Sequence, residues 1–350
     1  MTAAPGAAHG PGTLGPVVVA VPVKDEQDHL AACLEALDHQ TAGRADHILL
    51  LLNNCSDATP SIANRMRARL TATLHVVEIA LPPALATAGH ARRLAMDAAC
   101  RLAGGQGLLL TTDADARVDP DWVGANLAAI RVGADAVAGW VELDAPDWAA
   151  IPLRLHEDDA RECAYDTVCD EIHALLDPDP ADPWPRHTQA SGASIAVTAA
   201  AYRAAGGMPA PPVGEDRAFI AALRRIDARV RHAPECRVVV SGRIEGRAAG
   251  GMADTIRRRM TAPDAFIDDR LEPAIACARR ATLRALAGRA YRTGRLAAGL
   301  EARFGLSRPV LADCLRRATF GAAWEAIEAQ SPQLVRRRVP VRALAAQQAT

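Results

Sequence analysis

The strongest constraint on this chain's fold is a rhythm. Through roughly the first 140 residues, short apolar runs alternate with amphipathic stretches. Val17–Val23 (VVVAVPV) is a near-continuous apolar run, as a strand covered on both faces requires. Ile48–Leu52, Leu74–Ile79, Leu108–Thr112 and Asp135–Leu143 read as strands of the same kind. Between them, Asp28 opens a helix with Leu30, Leu34 and Leu37 inward, and Thr59-Pro60 supplies an N-cap and a first-turn proline. Ala88–Ala103 is a third helix, with Ala91, Leu94, Ala98 and Leu102 expected inward, and Asp119-Pro120 starts a fourth. Strands that alternate with helices imply right-handed crossovers and a mostly parallel sheet. On such sheets ligands bind beyond the carboxyl ends of the strands, which fixes the turns that matter.

The rhythm then changes. Leu153–Leu176 is a long charge-rich helix, and Asp177–Pro185 (DPDPADPWP) is an irregular loop broken by its prolines. Ala193–Thr198 and Arg237–Ser241 read as strands, with helices over Ala199–Ala205 and Glu215–Ile226. From Met252 onward the pattern is helical. The expected division is a disordered leader over 1–16, an α/β domain over 17–250, a helical extension over 251–335 and a tail over 336–350.

Composition narrows the function. Forty basic residues against 41 acidic ones leave no excess positive charge for nucleic acid. No run of about 18 apolar residues is present, so no transmembrane helix is expected. The Ala/Gly/Pro-rich start lacks the regions of a signal peptide, and the eight cysteines contain no CxxC pair. A cytoplasmic protein with reduced cysteines is the expectation.

The feature richest in chemistry is Leu108–Asp115, LLLTTDAD, where a buried strand runs into two carboxylates. On an extended segment, residues two apart point the same way, so Asp113 and Asp115 are expected to face the ligand crevice together. Mg²⁺ or Mn²⁺ takes oxygen ligands and bridges to phosphate, so a divalent cation there could hold a diphosphate. Two further DxD pairs, Asp119/Asp121 and Asp177/Asp179, fall at a helix start and in the proline loop, where capping and solvation explain them. Val213–Asp216, VGED, opens a helix, and its two acids suit either the helix dipole or the role of a general base.

Taken in order, these stretches resemble glycosyltransferase family 2, the large inverting group with the GT-A fold, a Rossmann-like α/β domain with a mostly parallel mixed sheet. Val18–Glu26 (VVAVPVKDE) resembles the family's first strand and its P-x-x-N-E turn, and Leu52–Thr59 (LNNCSDAT) the turn after the second strand. Gly89–Arg93 with Leu108–Asp115 is similar to the A-R-N helix and D-x-D strand. Ser191–Asp216, with SGAS, AAYRAAGGM and GED, is similar to the acceptor-side strand, G-G turn and E-D motif. The resemblance implies that Pro22 and Glu26 shape the pocket for the nucleotide base, and that Asn53 and Asp57 lie beside base and ribose. It implies that Arg92 approaches the donor, that Asp113 and Asp115 handle the metal diphosphate with Asp115 as the direct ligand, and that Asp216 is the catalytic base supported by Glu215. Trp184 and His187, with Gln189, flank the acceptor-side strand, where they could contact an acceptor or simply anchor a loop. Asn53-Asn54 replaces the family's Asp-Asp, which exchanges acceptors for groups that both donate and accept.

The implied activity is transfer of one sugar from a nucleotide-sugar to an acceptor hydroxyl with inversion, aided by a divalent cation. No Q-x-x-R-W motif of processive synthases is present. A nucleotidyltransferase of similar sheet is the alternative enzyme, but the PVKDE turn lacks that class's glycine-rich loop. A third reading is a binding module for nucleotide-sugar or glycan that has lost catalysis. A dinucleotide-dependent dehydrogenase is disfavoured, because no G-x-G-x-x-G follows the first strand.

Overall fold

The computed structural model describes residues 14–244, 246 and 251–344. Most of the expected leader, the boundary near Gly250 and residues 345–350 of the tail lie outside the described residues. The first half follows the expected alternation: β1 (Val17–Val23), α1 (Leu30–Asp38), β2 (His47–Asn53), α2 (Thr59–Met66), β3 (Thr73–Ile79), α3 (Ala88–Ala103), β4 (Leu108–Thr111), β5 (Arg117–Val118), α4 (Trp122–Arg131) and β6 (Ala136–Leu143). There follow α5 (Ala145–Ala150), α6 (Leu153–Leu176), β7 (Ile195–Thr198), α7 (Ala199–Ala204), α8 (Glu215–Arg225) and β8 (Val230–Val240). The rest is helical: α9 (Met252–Thr261), α10 (Ala274–Thr293), α11 (Leu300–Phe304), α12 (Arg308–Cys314) and α13 (Phe320–Gln330).

The eight strands form one sheet in the order β3-β2-β1-β4-β7-β6-β8-β5. Pairings β1–β2, β2–β3, β1–β4 and β6–β8 are parallel, whereas β4–β7, β6–β7 and β5–β8 are antiparallel. Helices cover both faces, and this explains the unbroken apolar strands. Val17, Val19, Val21 and Val23 enter one core with Leu30, Leu34 and Trp122, while Val18 and Ala20 enter the other with Ala91, Ala95 and Phe219. Period-two alternation therefore distributes β1 between two buried layers.

Three local expectations change. In α3 the buried stripe is Ala91, Ala95 and Ala99 with Arg92 and Met96, whereas Leu102 is exposed. The sheet accepts small alanines at close approach and turns the longer leucine outward. Thr59 is the first helical residue of α2 rather than its cap, and its Oγ1 accepts a hydrogen bond from the Glu26 N–H at 2.8 Å. The last strand is longer than Arg237–Ser241. It runs over Val230–Val240 and carries a register shift opposite Gly139/Trp140, which the apolar pattern of its second half does not announce.

The helical extension packs on the α/β part. Its α10 lies along α6, where the Tyr165 hydroxyl donates to the Glu272 carbonyl at 2.8 Å. Its α13 meets α8 so closely that a Cβ on Gly321 would stand 1.9 Å from the Arg224 carbonyl oxygen. Only glycine permits that approach. Arg225 also pairs with Glu325 at 2.6 Å.

Candidate active site

A cleft opens at the carboxyl ends of β1, β2 and β4, where the fold rule places a ligand. Pro22, Glu26, Asn53, Arg92, Asp113 and Asp115, all expected from sequence, line it. Lys24, Thr87, Ser241 and Arg243 line it as well.

The turns that form the cleft are tied together. The Asp57 carboxylate does not line the cleft. It accepts the N–H groups of Thr59 at 2.9 Å and Gln27 at 3.1 Å, and so staples the start of α2 to the turn after β1. Asp25 sits at φ 52° and accepts the Ser56 N–H at 2.7 Å. Asn54, at φ 53°, donates to the Leu81 carbonyl and accepts the Leu81 N–H, each at 3.0 Å. Of the two asparagines, Asn54 thus closes a backbone turn and Asn53, which is buried, lines the cleft.

Asp113 and Asp115 come together by a different geometry from the one expected. β4 ends at Thr111, and residues 112–116 form a turn closed by the Ala116 N–H donating to the Asp113 carbonyl. Ala114, between the acids, points into the core. Burial, reinforced by the neighbouring charge of Asp113, pushes Asp115 up to about 7 against the pull of Arg243.

Arg92 is the hub of the site. It is only 5% exposed, and its guanidinium reaches four partners. Nη2 donates to Asp113 Oδ1 at 2.5 Å, Nε to Glu215 Oε1 at 3.2 Å, and Nη1 to Thr111 Oγ1 at 3.0 Å and to the Gly192 carbonyl at 2.9 Å. Burial alone would lower its pKa, but the charges of Asp113 and Glu215 raise it overall. One cation therefore joins the turn after β4, the turn before β7 and the first turn of α8. A Cβ on Gly192 would stand 2.5 Å from the Arg92 Cζ, so the SGAS glycine makes room for the hub.

Glu215 and Asp216 open α8 behind Gly214, whose φ of 78° is left-handed. The Gly192 N–H donates to Asp216 Oδ2 at 3.2 Å, and the Gly192 carbonyl accepts from Arg92. Asp216 is thus tied to the hub through Gly192, and neither it nor Glu215 is among the residues that line the cleft. Its burial raises its pKa above the ordinary carboxylate value, further supported by Glu215 and opposed by Arg92.

Trp184 and His187 lie apart from the cleft lining. Trp184 is partly exposed on the proline loop, whose Pro183 and Pro185 carbonyls accept from Arg231. His187 is buried, with its ring edge-on to Trp140 and His232. Burial lowers its pKa to about 4, so it is neutral there. Gln189 accepts the Val141 N–H at 2.9 Å. His187 and Gln189 anchor this segment to the sheet, whereas the Trp184 ring is exposed. Arg257, Arg258 and Arg259 pair with Asp254, Asp264 and Glu162 rather than reaching into the cleft.

Of the lining residues not expected from sequence, Arg243 is the one that meets both Glu26 and Asp115. It follows β8 and binds both carboxylate oxygens of Glu26, with Nη1 to Oε2 at 2.8 Å, and it lies 3.1 Å from Asp115 Oδ2. The signal was available, because Arg243 sits just past the end of a strand.

The donor set suits a hard divalent cation. Among the described residues no group of three or more His, Cys, Asp and Glu converges as a closed metal cage. Two crowded carboxylates at a cleft mouth are what Mg²⁺ or Mn²⁺ uses when phosphate oxygens and water complete its shell.

Among the described residues no helix is long and apolar enough to cross a membrane. None of the curated proteins matches the sequence. Solved structures similar to this chain include a mannosyltransferase from Pyrobaculum calidifontis in complex with GDP-Man and Mn2+, at 18% identity over 98% of this chain and 81% of that chain, with a TM-score of 0.45. They also include TarS of S. aureus (residues 1–349) in complex with UDP, at 14% identity over 90% of each chain and a TM-score of 0.47. Glucosyl-3-phosphoglycerate synthase from Mycobacterium tuberculosis, with Mn2+, UDP and phosphoglyceric acid, is 13% identical over 81% of each chain, with a TM-score of 0.43. The profile of Glycosyl transferase family 2 matches residues 18–167, which hold β1 to β4, the Arg92 helix and the Asp113/Asp115 turn. By that match, residues 18–167 of this chain, which carry the donor-side part of the cleft, are similar to glycosyl transferase family 2.

Proposed function

We propose that the protein transfers one sugar from a nucleotide-diphosphate-sugar to an acceptor hydroxyl with inversion. The observation that carries this reading is the Arg92 hub, which gathers Asp113 and Glu215 on one guanidinium and, through Gly192, links Asp216 to the same network. Pro22 and Asn53 border the end of the cleft assigned to the nucleoside. A divalent cation, Mn²⁺ or Mg²⁺, held by Asp115 and Asp113, would offset the charge of the departing diphosphate. Asp216 takes the proton of the attacking hydroxyl, because a pKa raised by burial makes it a stronger base than an ordinary solvent-exposed carboxylate. Glu215, fixed by Arg92, orients that first helical turn. Attack from the face opposite the diphosphate gives inversion. Trp184, exposed on the proline loop outside the cleft lining, is the aromatic proposed to meet an acceptor.

The test is a thermal-shift screen of nucleoside diphosphates and nucleotide-sugars with and without Mn²⁺. At ligand 100 times above Kd, linkage adds about 2.7 kcal/mol of stability. Wild type should show a metal-dependent shift that ranks the donors, and Asp115→Ala should abolish it. An unchanged shift in Asp115→Ala refutes the metal assignment. No shift with any nucleotide refutes the donor site.

A further inference from the structure

One cation already stands at the carboxylates that the donor site needs. Arg243 binds Glu26 through both nitrogens of its fork and reaches Asp115 Oδ2 at 3.1 Å. His29 Nδ1 lies 3.2 Å from Glu26 Oε2 and 3.5 Å from Arg243 Nη1. Glu26 is 5% exposed, and among the described residues Arg243 and His29 are the basic groups paired with it. Arg243 itself is 22% exposed in its side chain and lines the cleft.

The arginine is also held in place from behind. Asp147, on α5, accepts the Ser241 hydroxyl at 2.9 Å and the Gly242 N–H at 2.7 Å. A Cβ on Gly242 would stand 2.9 Å from the Asp147 Cβ. The segment leaving β8 is thereby pinned against α5, with the next residue aimed across the cleft at Glu26 and Asp115.

Resting on the proposed function, we infer that Arg243 is the resident counter-ion of the donor site before nucleotide binds. It occupies Asp115 and Glu26 until a nucleoside diphosphate arrives, so the divalent cation is admitted with the nucleotide rather than ahead of it. Two cations cannot share Asp115 Oδ2 at contact distance without mutual repulsion, which at about 4 Å is large wherever water is excluded. A diphosphate resolves the conflict, because its oxygens can ligate the metal and also accept the displaced fork of Arg243. Metal and nucleotide then bind with positive coupling, and each raises the affinity of the other by the same factor.

The experiment measures Mn²⁺ binding directly, from the free-ion EPR signal during titration of the full chain. Wild type, Arg243→Gln, Arg243→Lys and Asp115→Asn are compared without nucleotide and with saturating UDP or GDP, after thermal melts establish that each variant is folded. Without nucleotide, Arg243→Gln should bind Mn²⁺ at least tenfold more tightly than wild type, and Arg243→Lys should fall between them. Nucleotide should tighten Mn²⁺ binding strongly in wild type and much less in Arg243→Gln. Equal Mn²⁺ affinity of wild type and Arg243→Gln in the absence of nucleotide overturns the inference. If wild type still takes up Mn²⁺ with nucleotide and Asp115→Asn does not, the proposed donor site survives that result. If wild type takes up none even with nucleotide, the donor site falls as well.

Discussion

Replacing Arg92 by methionine tests whether the hub holds the site together or merely touches the donor. Methionine keeps much of the side-chain volume and removes every donor. Asp113 and Glu215 lose their shared cation, and Thr111 Oγ1 and the Gly192 carbonyl lose a hydrogen bond each. Breaking a buried ion pair by removing one partner costs about 3–5 kcal/mol. Asp113 is 34% exposed in its side chain and rehydrates in part, so its share is discounted. Glu215, at 12%, has little access to water and carries most of the penalty. The two neutral partners add about 1 kcal/mol each, offset where water enters. A net loss of about 4 kcal/mol follows, a large share of the roughly 5–15 kcal/mol that separates folded from unfolded domains. Urea denaturation monitored by circular dichroism reads this directly. The double variant Arg92→Met/Glu215→Leu removes the orphaned acid and should recover about half of the loss, a coupling that independent sites lack. The reasoning would be falsified by an Arg92→Met variant within 1 kcal/mol of wild type that is impaired only in donor binding. In that case Arg92 is a donor contact and the network is incidental.

Other expectations follow from the same geometry. Asp216→Asn should lower sugar transfer by roughly 10²- to 10⁴-fold and leave nucleotide affinity unchanged; retained turnover removes Asp216 from the role of base. The same variant bears on stability. The folded-state pKa of Asp216 is raised, so its stabilising contribution is present below the unfolded value and is lost as pH rises through the folded one. At neutral pH Asp216→Asn should therefore melt higher than wild type, and a lower melting temperature contradicts the burial argument. In wild type, the acid limb of kcat/KM should lie above the ordinary aspartate range, since the base is lost to protonation at a higher pH than usual; a limb at or below that range counts against this assignment. Gly192→Ala places a Cβ 2.5 Å from the Arg92 Cζ and should cost about 1–3 kcal/mol by overpacking, with a loss of transfer, whereas an active, fully stable variant shows that the guanidinium is free to shift.

Much of the donor side was legible in the sequence because its residues sit at the ends of local elements. An apolar run identifies a buried strand and the strand's end identifies the cleft, which brings in Asp113 and Asp115, whereas Pro22, Glu26 and Asn53 were implied by the family resemblance of the neighbouring turns. Position and partner separated at the finer scale. Asp57 lies in the right turn, yet its oxygens are spent on the N–H groups of Thr59 and Gln27. His187 flanks the expected strand, yet its ring is packed between Trp140 and His232. Whether a polar residue near a strand faces a ligand or a neighbouring loop depends on atoms distant in the chain, and one-dimensional pattern carries no information about them.

The sequence by itself determined the layers, since hydrophobic periodicity and strand length specify which segments must be covered on two faces. It also placed acids at two helix or strand ends, because such ends are where backbone groups and solvent meet. Tertiary structure alone decided how those acids are compensated. Arg92 and Glu215 are 123 residues apart, and Arg243 and Glu26 are 217 apart. Ion pairing acts through space with no preference for sequence separation, so the partner of a buried charge is settled only when the sheet brings its strand ends together.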